Sequence, residues 1–267
     1  MSTTPATSAP HVRSYPAGLG WVPVWRRNLL FWRKLAPASM LANLGEPILY
    51  LLALGYGLGA LVGGVGGIPY QVFLASGFIC SSAMMTATFE ATYSAYTRMA
   101  AQHTWDAMIS TPLGVGDVVR GEIAWATTKS LMSATGVMVV GAAIGAVRGW
   151  QALLAIPAAA LTGLCFSAIA LVVTTIARSY DSFLYYTTLV MTPMFLLSGV
   201  FFPLAQMPEA IQRLATVLPL THAVALVRPL VIGGSVEAPL LHVAVLLGYA
   251  ATASALAARL ARRRMLV

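Results

Sequence analysis

The sequence predicts an all-α integral membrane protein. It should have six transmembrane helices, an N-terminal amphipathic interface helix, a short cytoplasmic helix after the second span, and an external re-entrant helical hairpin between helices 5 and 6. Two observations carry this. Of 267 residues, 58% are hydrophobic and 9% charged, against about 45–50% apolar and about 25% charged in soluble domains. Several apolar runs also exceed the ~20 residues needed to cross a ~30 Å hydrocarbon core as helix. Runs such as 153–176 and 183–202 do not alternate, which excludes barrel strands.

Residues 1–20 are rich in Ser, Thr, Pro, Ala and Gly and lack the apolar core of a cleavable signal peptide. They read as a disordered cytoplasmic tail, leaving 21–267 as one transmembrane domain. Trp21, Trp25, Leu29 and Trp32 recur at steps of three or four, with Arg26, Arg27, Arg33 and Lys34 mostly between them. That pattern describes a helix lying in the membrane interface. Spans are expected at 40–62, 70–96, 118–146, 151–177, 183–202 and 239–260.

Sorting the basic residues by loop sets the orientation. With the N-terminus inside, Arg13, Arg26, Arg27, Arg33, Lys34, Arg98, Arg120, Arg178, Arg259, Arg262, Arg263 and Arg264 are cytoplasmic, whereas only Arg148, Arg213 and Arg228 lie outside. Both termini are therefore expected in the cytoplasm of a multi-pass protein of the bacterial inner membrane. The net charge of +8 reports this topology and not nucleic-acid binding, because the cations flank apolar spans instead of forming a patch.

Two connections exceed a simple turn. In the cytoplasmic one, 98–112, Trp105, Met108 and Ile109 share a helical face and Pro112 limits the helix. The external one, 198–234, carries Pro203, Pro208 and Pro219, and the last two precede apolar stretches at 209–217 and 221–232. These have a helical look but are too short to cross a bilayer, which fits a re-entrant hairpin.

No nucleotide site is encoded. A P-loop needs Gly-x-x-x-x-Gly-Lys-Ser/Thr, and the two lysines, Lys34 and Lys129, have the wrong neighbours. The glycines between Gly55 and Gly67 end an apolar span, where close packing and an external turn explain them. Cys80 and Cys165 are isolated in apolar runs with no metal-binding or redox spacing, so no metal site is expected. Glu46, Glu90, Glu122 and Lys129 are ionisable groups inside apolar runs, where a charge costs several kcal/mol and normally faces a cavity or a partner. For Glu46 and Glu122, early in their spans, snorkelling or structural pairing is the first reading. Glu90 lies deeper, and with Thr86, Thr88, Thr92 and Tyr93 it is a candidate lining of a polar path. Ser198 and His222 supply the minimum for nucleophilic catalysis, but nothing in sequence joins them and no nucleophile-elbow context is present.

The segment 197–208, LSGVFFPLAQMP, followed by 218–228, LPLTHAVALVR, resembles the hallmark of type-2 ABC exporter permeases. Within that family, 104–113, TWDAMISTPL, and 43–50, NLGEPILY, resemble the nodulation protein J branch of lipooligosaccharide permeases. The resemblance runs from Trp21 to Arg259. It implies a non-catalytic permease that pairs with a second copy of itself and with two copies of a nodulation protein I type ATPase, moving a lipo-chitooligosaccharide. This chain would bind no cofactor, since ATP and Mg belong to the partner ATPase. The loop after span two would supply a coupling helix, mapping onto His103, Trp105, Asp106, Met108 and Ile109, with Trp105, Met108 and Ile109 docking into an ATPase groove. The external hairpin or gate would comprise Phe201, Phe202, Pro203, Pro208, Pro219, His222 and Arg228. A lipid-tailed sugar entering sideways from the bilayer needs polar or aromatic partners for its glycan, and Glu46, Tyr50, Glu90 and Tyr93 are the candidate path residues. Competing readings are an O-antigen, teichoic acid or drug permease of the same class, an ion-coupled secondary transporter using Glu90 or Lys129, and an intramembrane hydrolase.

Overall fold

A computed structural model describes residues 16, 18–147 and 149–266, with the side chains of Ala42, Asn43 and Glu46 outside the description. The expected tail, 1–20, lies almost wholly outside the described residues. The regular secondary structure of the described chain is helical apart from one hairpin of two-residue strands, β1 (Gly64–Val65) with β2 (Ile68–Pro69), in which Gly64 pairs with Pro69. Gly63, Gly66 and Gly67 take positive φ there, so the glycine-rich stretch makes the expected tight turn.

Ten helices follow in order. α1 (Trp21–Arg33) is the amphipathic helix. α2 runs over 36–62, with a wide turn at Ala53–Leu58 and Pro47 inside it. α3 (Tyr70–Ala101) is a 32-residue helix. α4 (Thr104–Ile109) is short, α5 (Val115–Ala143) has 29 residues and α6 is Trp150–Ile176. α7 covers 181–197, α8 is Glu209–Ala215, α9 is Pro219–Ile232 and α10 is Pro239–Met265.

By length and composition, three helices can cross a membrane, α3, α6 and α10, and α8 with α9 make a fourth if their 87° bend is taken as one broken span. The other expected spans exist as helices with identifiable departures. α5 is long enough but carries Asp117, Arg120, Glu122 and Lys129. The apolar helix within α2 is Pro47–Val62, shorter than a full span, and α7 ends at Leu197, where the sequence reading carried it to 202. The second span runs beyond its expected end at 96, to Ala101, and so takes in Arg98.

α3 is the centre of the bundle. Of its most apolar window 89% is buried, against 17% for α10, so α3 is surrounded by protein whereas α10 keeps an outward apolar face. This explains how α3 tolerates Ser76, Ser81, Ser82, Thr86, Thr88, Glu90 and Thr92, all buried. In lipid such groups would be costly, but here Ser76, Ser81, Thr88 and Thr92 find acceptors and Glu90 finds donors. Ser82 and Ser133 hydroxyls are 2.7 Å apart across α3 and α5, and Thr174 on α6 donates to the Ala91 carbonyl at 2.6 Å. α1 lies on α5, an approach that requires Gly121, because a Cβ there would sit 2.9 Å from the Trp21 carbonyl.

Candidate functional site

Where α1, α3, α4 and α5 meet, two buried carboxylates and two cations form one ionic cluster. Glu90 and Glu122 are 4% and 1% exposed, Arg98 and Lys129 13% and 15%. Arg98 grips Glu122 with two donors, Nη2 to Oε2 at 2.6 Å and Nε to Oε1 at 3.0 Å, and its Nη2 also lies 2.9 Å from Glu90 Oε1. Lys129 Nζ donates to Glu90 Oε2 at 2.8 Å. The remaining donors are neutral: Trp125 Nε1 to Glu90 Oε1 at 2.8 Å, Trp105 Nε1 to Glu122 Oε1 at 3.2 Å, and Asn28 Nδ2 to Glu122 Oε2 at 3.2 Å. A buried ion survives in a low-dielectric site only when it is paired and its lone pairs are hydrogen-bonded, which this arrangement achieves for both carboxylates.

Local backbone geometry sets these positions. Glu90 begins a wide π-type turn at Glu90–Ser94, and Arg98 lies in a second one at Thr97–Ala101. Such turns shift the register of a helix and are frequent at functional sites. On α5, Glu122, Trp125 and Lys129 follow steps of three and four and so share a face. A cavity of about 280 Å³ opens beside the cluster, lined by Arg27, Asn28, Phe31, Trp32, Leu35 and Ser39 on the α1 side. Glu90, Ser94, Thr97, Arg98, Gln102, Trp125 and Lys129 line the bundle side.

Trp105 departs from the sequence reading, which turned it outward toward a partner. Its indole is fully buried against Glu122 and the apolar cluster around Val24, Val118 and Ile123. The physical reason is that a six-residue helix beside a buried carboxylate is held by its one long N–H donor. Met108 and Ile109 are half-buried against the same cluster. The outward side of α4 presents His103, Asp106, Ala107 and Ser110, with His103 Nδ1 and Asp106 Oδ2 3.0 Å apart. Arg98, read from sequence as a loop cation, is instead a member of the cluster.

Among the described candidate path residues, Tyr50, Glu90 and Tyr93 have separate surroundings. The Glu46 side chain lies outside the described residues. Tyr50 is 45% exposed and stacks on Phe78 at 6.0 Å. Tyr93 stacks between Phe89 and Tyr180 and meets the edge of Phe183 at 5.2 Å. Of the described ones, Glu90 lines the cavity and Tyr50 and Tyr93 do not.

The segment after α7 folds back onto α3. Arg228 on α9 donates to the Gly199 carbonyl at 2.8 Å and to Ser76 Oγ at 3.0 Å while stacking 3.7 Å above the Phe73 ring. Gly77 gives the chain room, since a Cβ there would lie 2.8 Å from the Val200 carbonyl. Phe201 meets Phe195 and Phe78 edge-on at 4.8 and 5.8 Å, and Phe202 is exposed. Pro203 precedes a short turn, Pro208 precedes α8, and Pro219 is the first residue of α9, where its missing N–H costs nothing. His222 is 2.8 Å from His242, Nδ1 to Nδ1, and its Nε2 is 2.9 Å from the Thr216 carbonyl. Ser198 Oγ is buried with no hydrogen-bond partner among the described residues, and thus is not bonded to His222. Arg228→Ala is expected to lower stability by about 1.5–3 kcal/mol, the worth of charged hydrogen bonds left unmade. Thermal unfolding of the detergent-solubilised chain measures this.

Residues 20–231 match the ABC-2 type transporter family. The chain is 48% identical over 257 residues to nodulation protein J of Rhizobium leguminosarum bv. viciae, covering 96% of this chain and 99% of that protein. It is 47% identical to nodulation protein J of Rhizobium leguminosarum bv. trifolii, over 97% of this chain and 99% of the relative. To nodulation protein J of Rhizobium meliloti (strain 1021) it is 45% identical, over 96% and 98%. A match across this length places the chain plainly: it belongs to the ABC-2 type transporter family, as a multi-pass membrane permease.

Proposed function

We propose that this permease, as a pair of identical chains carrying two nodulation protein I type ATPase subunits, moves a lipo-chitooligosaccharide across the bacterial inner membrane. The observation that carries the reading is the near full-length similarity to nodulation protein J. The spans in this arrangement are α2, α3, α5, α6, α7 and α10, both termini are cytoplasmic, and α8 with α9 form an external re-entrant hairpin. ATP and Mg belong to the partner, and this chain contributes binding and conformational change without catalysis.

The ionic cluster gives the coupling a physical route. α4 is the coupling helix, and its exposed His103 and Asp106 meet the ATPase. Trp105 on its inner side transmits movement to Glu122, and from there through Arg98 and Glu90 to Lys129. A displaced α4 must either carry Glu122 along or leave a buried carboxylate short of a donor, so the bundle follows it. The resting pairing of Glu90 with both Arg98 and Lys129 favours this role over that of a proton relay.

The test is uptake of a labelled lipo-chitooligosaccharide into inverted membrane vesicles containing the permease and its ATPase. ATP-dependent accumulation that a non-hydrolysable analogue cannot drive is the expected result. Accumulation of an O-antigen or teichoic acid precursor in its place would reassign the cargo.

A further inference from the structure

The cavity beside the ionic cluster has a wall charge that the cluster leaves uncancelled. Arg27, Arg98, Lys129 and Glu90 line it, whereas Glu122 is paired with Arg98 and does not. With Glu122 behind Arg98 counted, three cations face two carboxylates, and the unmatched charge is that of Arg27. Arg98 is held by both carboxylates and Lys129 by Glu90. Arg27 has no carboxylate within 4 Å among the described residues, and it donates only to neutral oxygens, Asn28 Oδ1 at 3.1 Å and Thr104 Oγ1 at 3.5 Å. Partial burial, followed by the positive charge of Arg98, holds the pKa of the Arg27 guanidinium below its ordinary value, with Glu122 pulling the other way. The surroundings of Arg27 are short of negative charge.

The rim has two characters. Phe31 and Leu35, 61% and 56% exposed, form an apolar lip, and exposed Arg27 and Gln102 form a polar one. The lip lies at the end of α1, where Phe31 is and just before Leu35; α1 also exposes Leu30 and carries Arg26 and Arg33, with Lys34 following it, the composition of a helix lying in a membrane interface. A free anion has no use for that lip, whereas an amphiphile does. The volume of about 280 Å³ leaves room for a phosphate and a glycerol unit.

We propose that this cavity binds the phosphate-bearing head of an anionic membrane lipid, the phosphate lying between Arg27 and Lys129 and the acyl chains leaving across Phe31 and Leu35. A phosphate there accepts charge-assisted hydrogen bonds from a guanidinium that otherwise has only neutral partners. The lipid also ties α1 to α3 and to the middle of α5, so the bilayer's anionic lipid content acts on the ionic cluster whatever cargo the permease moves.

The experiment is native mass spectrometry of the purified full-length chain, offered phosphatidylglycerol and phosphatidylcholine together, with inorganic phosphate as a soluble competitor. The expected result is retention of phosphatidylglycerol by at least about tenfold, insensitive to inorganic phosphate, with Arg27→Gln lowering the preference about tenfold. Ser94→Leu, which fills the cavity without altering charge, does the same. Arg33→Gln, on the same helix but outside the cavity, changes it less than about twofold. Equal retention of the two lipids would overturn the proposal, as would an Arg33→Gln effect equal to that of Arg27→Gln, the mark of diffuse attraction to a basic helix. Displacement by millimolar inorganic phosphate would make it a soluble-anion site instead. Should Ser94→Leu fail to fold, Arg27→Gln still decides, since that side chain is exposed and has only neutral partners.

Discussion

Replacing Glu122 by alanine is expected to cost about 3–5 kcal/mol, because it leaves Arg98 buried with half its counter-charge gone. The same change removes the acceptor of Trp105 Nε1 and Asn28 Nδ2. A loss of that size is a large share of the ~5–15 kcal/mol by which domains are stable, so the variant should be recovered in low yield and unfold at a much lower temperature. The companion variant discriminates the cause. If electrostatics dominate, Arg98→Met added to Glu122→Leu recovers much of the loss, since Glu90 retains Lys129 as its partner and the unpaired cation is gone. If the double variant is as unstable as the single one, packing and not charge pairing holds this region together.

Trp105→Ala is expected to be nearly as damaging, by about 3–5 kcal/mol for a fully buried aromatic truncated to a methyl group. Its informative partner is Trp105→Phe. Phenylalanine keeps most of the packing against Val24, Val118 and Ile123 but cannot donate to Glu122. The predicted outcome is a folded, membrane-inserted permease that still retains its ATPase, whose cargo-stimulated ATP turnover falls several-fold. A phenylalanine variant with native turnover would show that the Trp105 N–H carries no signal between α4 and the bundle.

Much of the architecture is legible from apolar run length and punctuation. Pro219 marks the start of α9, and Gly233, at φ 88°, marks its end. The deep position of Glu90 singled it out as a group needing a partner, and it has three. What escaped has specific physical reasons. The wide turns at Glu90–Ser94 and Thr97–Ala101 alter which residues share a face of α3, so Arg98 read as a loop cation and not as the partner of Glu90 and Glu122. The spacing of Glu122, Trp125 and Lys129 is a usable signal that only α5's own periodicity reveals. For α4, six residues are too few for periodicity to tell an inward from an outward tryptophan. Asn28 and Arg27 follow from no local pattern, because their role depends on how α1 crosses α5.

The central claim is that this chain is one half of an ATP-driven machine. It is tested most directly by purifying the tagged permease in mild detergent, identifying what co-purifies by mass spectrometry and assaying its ATP turnover. The account predicts a stoichiometric ATP-binding-cassette subunit whose vanadate-sensitive turnover rises when lipo-chitooligosaccharide is added. A permease that purifies alone, and moves cargo in response to an ion gradient without ATP, would contradict it.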